Sequence, residues 1–206
     1  MKINFIDKLF FKKRTLFFID KQKYKFGNLI NSNFEVAIYD NNNLAADLKE
    51  YLYKKIKQEI IETRLMDADC FLAIAINKEN CHPAGYCWMV RSVSNIRYHD
   101  NFFIPRYSAL VFNAYIEPEY RRMKVYRLLQ SSLHDYLFKV ANCEMVFTIV
   151  ENRNLPAYNA CIKFGLEKYS FNYLIKFFGK NMFSIYKDNE KILIKYLSKK
   201  IDFILR

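Results

Sequence analysis

The sequence predicts a mixed α/β fold of the α+β kind, a mostly antiparallel twisted sheet flanked by helices. Three observations carry that expectation. Cys70–Asn77 and residues 85–91 are apolar runs joined by the turn-rich NKENCHP, which reads as a β-hairpin. Ser108–Ile116, a helix-patterned segment after Arg121 and the apolar run 143–150 follow one another within about forty residues, the series expected of a right-handed crossover between parallel strands. Glu167–Phe177 and 182–186 then read as two more antiparallel strands.

The remaining elements follow in chain order. Residues 1–32, with the charge-broken KLFFKKRTLFF, are set apart as an N-terminal extension packed on the core. That stretch does not read as a secretory signal, because its apolar residues are interrupted every few positions. The main domain is expected over 33–188, opening with the strand Phe34–Tyr39. Residues 43–66 carry Leu44, Leu48, Leu52, Ile56, Ile60 and Leu65 roughly along one stripe, which predicts a helix. Residues 92–106 are polar and aromatic and read as a loop over a site, with Tyr98, Phe102, Phe103 and Tyr107 as pocket wall or core. Val125, Leu128, Leu129, Ser132, Leu133, Tyr136, Leu137 and Val140 recur at steps of three and four, the buried stripe of a second helix. A third helix is expected over 154–164, capped by Asn154, with Pro156 in its first turn and Gly165 at its end. Residues 189–206 read as a C-terminal basic amphipathic helix with Ile192, Leu193, Tyr196 and Leu197 inward.

Composition narrows the partners. A chain of 206 residues with 52% apolar residues supports one good core and excludes a disordered protein. The formal charge of +12 points to an anionic partner, such as a phosphorylated cofactor, an acidic carrier protein, nucleic acid or a membrane surface, or else to lysines solvating the surface. No RNP, zinc-finger or helix-turn-helix signature is present, so nucleic acid is not expected. The longest apolar run, 70–76, falls far below the ~20 residues of a membrane span. Five cysteines (Cys70, Cys81, Cys87, Cys143, Cys161) form neither a CxxC pair nor a metal-ligand spacing, so no metal is expected and reduced thiols in the cytoplasm are.

The chemistry concentrates in YIEPEYRRMKVYRLL, Tyr115 to Leu129. It follows a strand and opens a helix, where free backbone N–H groups and the helix dipole hold phosphate without any particular side chain. Arg121, Arg122, Lys124 and Arg127 add charge at that end. Standing alone, the segment would read as an exposed basic first turn. It is followed, however, by the strand CEMVFTIV and by ENRNLPAYNACIKFGLEKY.

Together these two segments resemble the core motifs of the GNAT acetyltransferase superfamily. Residues 111–129 are similar to that family's fourth strand, its Q/R-x-x-G-x-G/A loop and the helix after it. Residues 143–166 are similar to its fifth strand, N-x-x-A, helix and closing K-x-G-F. The resemblance covers roughly residues 70–170. It implies a sheet whose parallel fourth and fifth strands splay apart to admit the pantetheine arm of acetyl-CoA or another acyl-CoA. The pyrophosphate would rest on Arg121, Arg122, Met123, Lys124, Val125, Tyr126 and Arg127. Asn154 and Ala157 would meet the cofactor beyond the fifth strand, and backbone N–H near Tyr115 or Ile116 would polarise the thioester. The implied activity is transfer of an acetyl or other short acyl group to a primary amine of a small molecule or amino sugar.

Three departures accompany the resemblance. Lys124 and Tyr126 stand where the family has two small residues that let backbone approach phosphate. Cys161 stands at the position of the tyrosine that protonates the leaving thiolate; it reads either as a thiol acid or as a small packing residue. Phe112 and Asn113 stand where many members place acidic residues, which leaves Glu117 and His99 (beside Asp100) as candidate bases. His82 and His134 read as structural. Two other readings keep the same fold: an acyltransferase fed by acyl-carrier protein, and a non-catalytic binding module. An edge strand near the C-terminus makes a homodimer a further option.

Overall fold

A computed structural model describes residues 11–25, 33–40, 43–93, 97–99, 102–177, 180–187, 192–196 and 201–205. In chain order the elements are β1 (Phe11–Asp20), β2 (Phe34–Tyr39), α1 (Ala46–Tyr53), α2 (Gln58–Leu65), β3 (Cys70–Asn77), β4 (Pro83–Ser92), β5 (Arg97–His99), β6 (Phe102–Ile104), β7 (Ser108–Ile116), α3 (Val125–Lys139), β8 (Met145–Glu151), α4 (Leu155–Lys163), β9 (Glu167–Phe177), β10 (Lys180–Lys187), β11 (Ile192–Tyr196) and β12 (Ile201–Leu205). They fall into two compact units.

The first unit comprises Asp20–Ile96 and Pro105–Val146. Its sheet is antiparallel in the order β7-β4-β3-β2. The centre is apolar on both faces: Leu72, Ala73, Ile74, Trp88, Met89 and Val90 are all fully buried. Strands with no polar alternation need cover on both sides, and α3 packs on β2, β3, β4 and β7 while α2 packs on β3. Val125, Leu128, Leu129, Leu133 and Leu137 form the inward stripe of α3. Val140, expected on that stripe, is the C-cap residue and is exposed.

One helix over 43–66 is corrected to two, α1 and α2, separated by the turn at residues 54–57. The stripe explains the break. Residues repeating strictly every four drift about 40° per step around a 3.6-residue helix, so a straight helix would carry the later ones off the core. Leu44, Leu48 and Leu52 are buried; after the turn the buried pair is Ile61 and Leu65, while Ile60 is exposed. The loop expected over 92–106 contains a short hairpin instead, with Arg97, Tyr98 and His99 opposite Ile104, Phe103 and Phe102.

The second unit comprises Met1–Ile19, Arg97–Ile104 and Phe147–Arg206. Its sheet runs β12-β11-β10-β9-β1, antiparallel throughout, with β8 beside β1. Residues 11–20, read from the sequence as part of an added segment, supply a full strand, paired with β9 from Phe11↔Ile175 to Phe18↔Glu167. The C-terminal helix is corrected to strands β11 and β12. ILIKY and IDFIL are short runs rich in β-branched and aromatic residues, and the open edge of β10 offers them a ladder. The register sets Lys195 opposite Asp202.

Candidate functional site

The connection from β7 to α3 lies in the first unit and begins with a close approach of two strands. A Cβ on Gly85 would lie 2.5 Å from the Tyr115 carbonyl oxygen and 2.7 Å from the Ile116 side chain, so β4 and β7 meet as they do only because residue 85 is glycine. Just before that point the register slips. Tyr86 pairs with Tyr115 and Trp88 with Phe112, leaving Asn113 and Ala114 together opposite Cys87. Asn113 takes φ 51°, a left-handed conformation that Asn tolerates, and both bulge residues are exposed. Such a bulge bends its strand and releases backbone groups from the ladder.

After Ile116 the chain passes Glu117, a single 3-10 turn at Pro118–Tyr120, and Arg121–Lys124 before α3 starts. Arg122 (φ 69°) and Lys124 (φ 63°, ψ 11°) are both left-handed. That conformation costs a non-glycine residue about 1–2 kcal/mol. Lys124 therefore holds the backbone shape that glycine adopts freely, at the position where the resemblance expects a small residue. A left-handed residue followed by a right-handed one turns successive N–H groups toward a common point, a concavity suited to an anion. Lys124 is the N-cap of α3 and makes no side-chain capping bond; the first helical bond runs from the Leu128 N–H to the Lys124 carbonyl, 3.0 Å. Arg121, Arg122, Lys124 and Arg127 are exposed around this end, and Arg121 Nε donates to the Ile116 carbonyl at 3.3 Å. Met123 is exposed, Tyr126 half-buried, and Val125 buried, so Val125 offers the loop only its backbone.

The connection from β8 to α4 belongs to the second unit. Asn154 Oδ1 accepts from the Ala157 N–H at 3.3 Å, closing the first turn of α4, and Gly165 ends the helix at φ 89°. The ring of Phe17 on β1 meets Tyr158 edge-on at 5.1 Å and fixes the helix to its sheet. Cys161 is the one buried residue of α4, 2% exposed. The helix turns the Cys161 thiol into the core rather than toward solvent, the geometry of a packing residue.

Of the two candidate bases, His99 is the last residue of β5; its side chain and Asp100 lie outside the described residues. Glu117 is 8% exposed at the end of β7. Lys55 Nζ lies 2.8 Å from its Oε1 and 3.0 Å from its Oε2, and Tyr115 Oη donates to Oε2 at 3.2 Å. Burial alone would raise the Glu117 pKa. The Lys55 ammonium together with the Tyr51 and Tyr115 hydroxyls outweighs burial, and the carboxyl sits below its ordinary value. A carboxylate so held is anionic at neutral pH and a weaker base than a free one. The structure brings Tyr115, Glu117 and Arg121 to one end of β7, and Asn154, Ala157 and Cys161 to one helix of the other unit.

Sequence reasoning missed Tyr51, Lys55 and Tyr86. The Tyr51 and Tyr86 rings meet edge-on at 6.3 Å, and Tyr86 stacks on Tyr115 at 5.7 Å. These residues come from α1, the α1–α2 turn and β4, and no spacing in the chain announces them. Among the described residues no group of three or more His, Cys, Asp or Glu is placed to hold a metal, and no helix is long and apolar enough to cross a membrane.

No protein-family model matches the chain, and no curated protein matches it in sequence. Solved structures do match in fold. A tandem GNAT protein from the clavulanic acid biosynthesis pathway superposes with TM-score 0.59 at 15% identity, over 80% of this chain and 53% of that one. A GCN5-related N-acetyltransferase from Sphaerobacter thermophilus gives 0.60 at 8% identity, over 84% and 54%. AAC(6')-Iy in complex with the bisubstrate analogue CoA-S-monomethyl-acetylneamine gives 0.52 at 11%, over 66% and 92%. The chain thus spans about half the length of the first two. The mixed α/β fold expected from the sequence is borne out, and it is the fold of the GNAT N-acetyltransferases.

Proposed function

We propose that the chain is an acyl-CoA-dependent N-acyltransferase that moves an acetyl or other short acyl group to a primary amine of a small molecule. The observation that carries this reading is the backbone at Lys124. A lysine in the left-handed conformation that glycine favours, at the uncapped start of a basic helix, supports a phosphate-binding turn there. The fold is shared with proteins named as acetyltransferases, one of them bound to a CoA-linked amine.

In this reading the diphosphate of acyl-CoA rests on the N–H groups at Lys124–Arg127, with Arg121, Arg122 and Lys124 supplying charge. The bulge at Asn113–Ala114 and the end of β7 at Tyr115–Ile116 provide backbone donors for the thioester oxygen. The amine nitrogen attacks the thioester carbonyl carbon, the C–N bond forms and the C–S bond breaks. Starting from an ammonium, one proton goes to solvent and one to the departing CoA sulfur. Positioning and oxyanion stabilisation supply most of such a rate, so a buried Cys161 is compatible with turnover. The free thiols suit a reducing compartment, and we place the protein in the cytoplasm.

Calorimetric titration with acetyl-CoA at moderate salt tests this on the wild type and on Arg121→Ala. Micromolar binding, ~8 kcal/mol, that weakens in the variant is the expected result. No heat with acetyl-CoA or longer acyl-CoAs would overturn it.

A further inference from the structure

The cluster around Glu117 has the composition of an ammonium site. One nearly buried carboxylate faces the hydroxyls of Tyr115 and Tyr51, and an ammonium is already there, that of Lys55. Lys55 Nζ lies 5.1 Å from the centroid of the Tyr115 ring and 5.7 Å from that of Tyr51, within cation–π reach of both. The Tyr86 ring closes the cluster by stacking on Tyr115 and meeting Tyr51.

Three features mark Lys55 as replaceable. It is exposed and sits in the short turn between α1 and α2, so holding its long side chain in one place costs rotamer entropy. The pair must offset that entropy and the desolvation of both groups, whose side chains are 28% and 10% exposed, before it stabilises. The Tyr51 hydroxyl is buried against the Glu117 carboxylate and helps hold its charge, but without a hydrogen bond of ordinary geometry. A freely placed ammonium could satisfy Glu117 and that hydroxyl together, which a tethered one does not.

We propose that Glu117, Tyr51, Tyr86 and Tyr115 bind an anchoring ammonium group of the acceptor, that Lys55 fills this site when no acceptor is present, and that the acceptor is therefore a diamine or higher amine. The first clause rests on the acyltransferase reading. The anchored nitrogen is not the attacking one. The hydrogen bond that Lys55 donates to Glu117 raises the Lys55 pKa, and the carboxylate would do the same to any amine in that place, keeping it protonated and unreactive. A second amine on the same molecule must then reach the thioester beside β7.

The test uses butylamine and 1,4-diaminobutane with the full chain, Lys55→Met, Tyr51→Phe and Lys55→Met/Glu117→Gln. By calorimetry without acetyl-CoA, Lys55→Met binds both amines about tenfold tighter than wild type, and the double variant loses that gain. In the acetylation assay the wild type shows a KM for the diamine about tenfold below that for the monoamine, and Tyr51→Phe narrows the ratio. Equal amine binding by wild type and Lys55→Met overturns the proposal. If Lys55→Met does not fold, a KM ratio near one in the wild type, or one unmoved by Tyr51→Phe, overturns it instead. Acetyl-CoA binding separates the two ideas. Binding with monoamine turnover and no diamine preference sinks the ammonium site alone, whereas amine binding without acetyl-CoA binding sinks the acyltransferase.

Discussion

Two strand-to-helix connections of this chain start their helices in opposite ways. At α4 the helix is closed by its own sequence: Asn154 accepts from the Ala157 N–H, and Pro at the second helical position needs no acceptor. At α3 the first turn has no side-chain cap, and the residue before it is left-handed although its Cβ disfavours that conformation. The contrast separates a helix start made for stability from one kept open at a cost. On the acyltransferase reading, the strained start is the one that meets the ligand.

The two helices also differ in what they bury, and this gives the largest predicted effect. Besides its apolar stripe, α3 carries His134 fully into the core against Tyr24 and Phe138, whereas α4 buries only Cys161. Burial lowers the His134 pKa from 6.5 to about 3, against a smaller opposing effect of Asp135. The neutral imidazole is therefore favoured by folding. Its contribution is fully present above pH 6.5, the unfolded value, and falls as the unfolded state takes up a proton below it. From pH 7 to pH 5, where carboxylates stay ionised, the loss is about 2 kcal/mol. Urea unfolding at the two pH values reads it, and His134→Leu should remove most of the difference. A difference that persists in the variant would show that the acid sensitivity lies elsewhere.

A middling effect tests the closed helix start. Asn154→Ala leaves the Ala157 N–H without its acceptor and should lower stability by about 1 kcal/mol. Lys124→Ala at the other start removes no capping bond, so a comparable loss there would erase the contrast.

How much of this was readable in the chain depended on whether the signal was local. The β3–β4 hairpin, the α3 stripe and the Asn154 cap rest on neighbours in sequence and were legible. The end of α1 was not, because a four-residue repeat looks helical until its drift is summed. The tail misled for a different reason. Its Lys and Ile residues suit an amphipathic helix, and only the open edge of β10, a tertiary fact, makes strands of them. At the site, Glu117 was legible as a carboxylate at a strand end, but its partner was not. Lys55 precedes it by 62 residues, and a lysine in a turn looks like any solvated lysine. The bulge at Asn113 gave one clue in retrospect, since Asn is among the few residues that accept a left-handed φ.

The smallest effect is the most informative about the open start. In Lys124→Gly the residue at φ 63° loses its Cβ and with it the strain of about 1 kcal/mol, while the unfolded chain gains a glycine's freedom. The two nearly offset, so stability should rise by only ~0.5 kcal/mol. Acetyl-CoA affinity responds to two opposite changes as well: the loop gains room for phosphate and loses one cation. Lys124→Met separates them, because it keeps the Cβ and discards the charge. If charge governs, both variants bind more weakly than wild type and with a shallower dependence on salt. If backbone shape governs, Lys124→Gly binds at least as tightly as wild type while Lys124→Met does not. In that case the strain at Lys124 is a residue of the loop's geometry that the lysine only tolerates, and the arginines alone supply the field that draws the phosphate in.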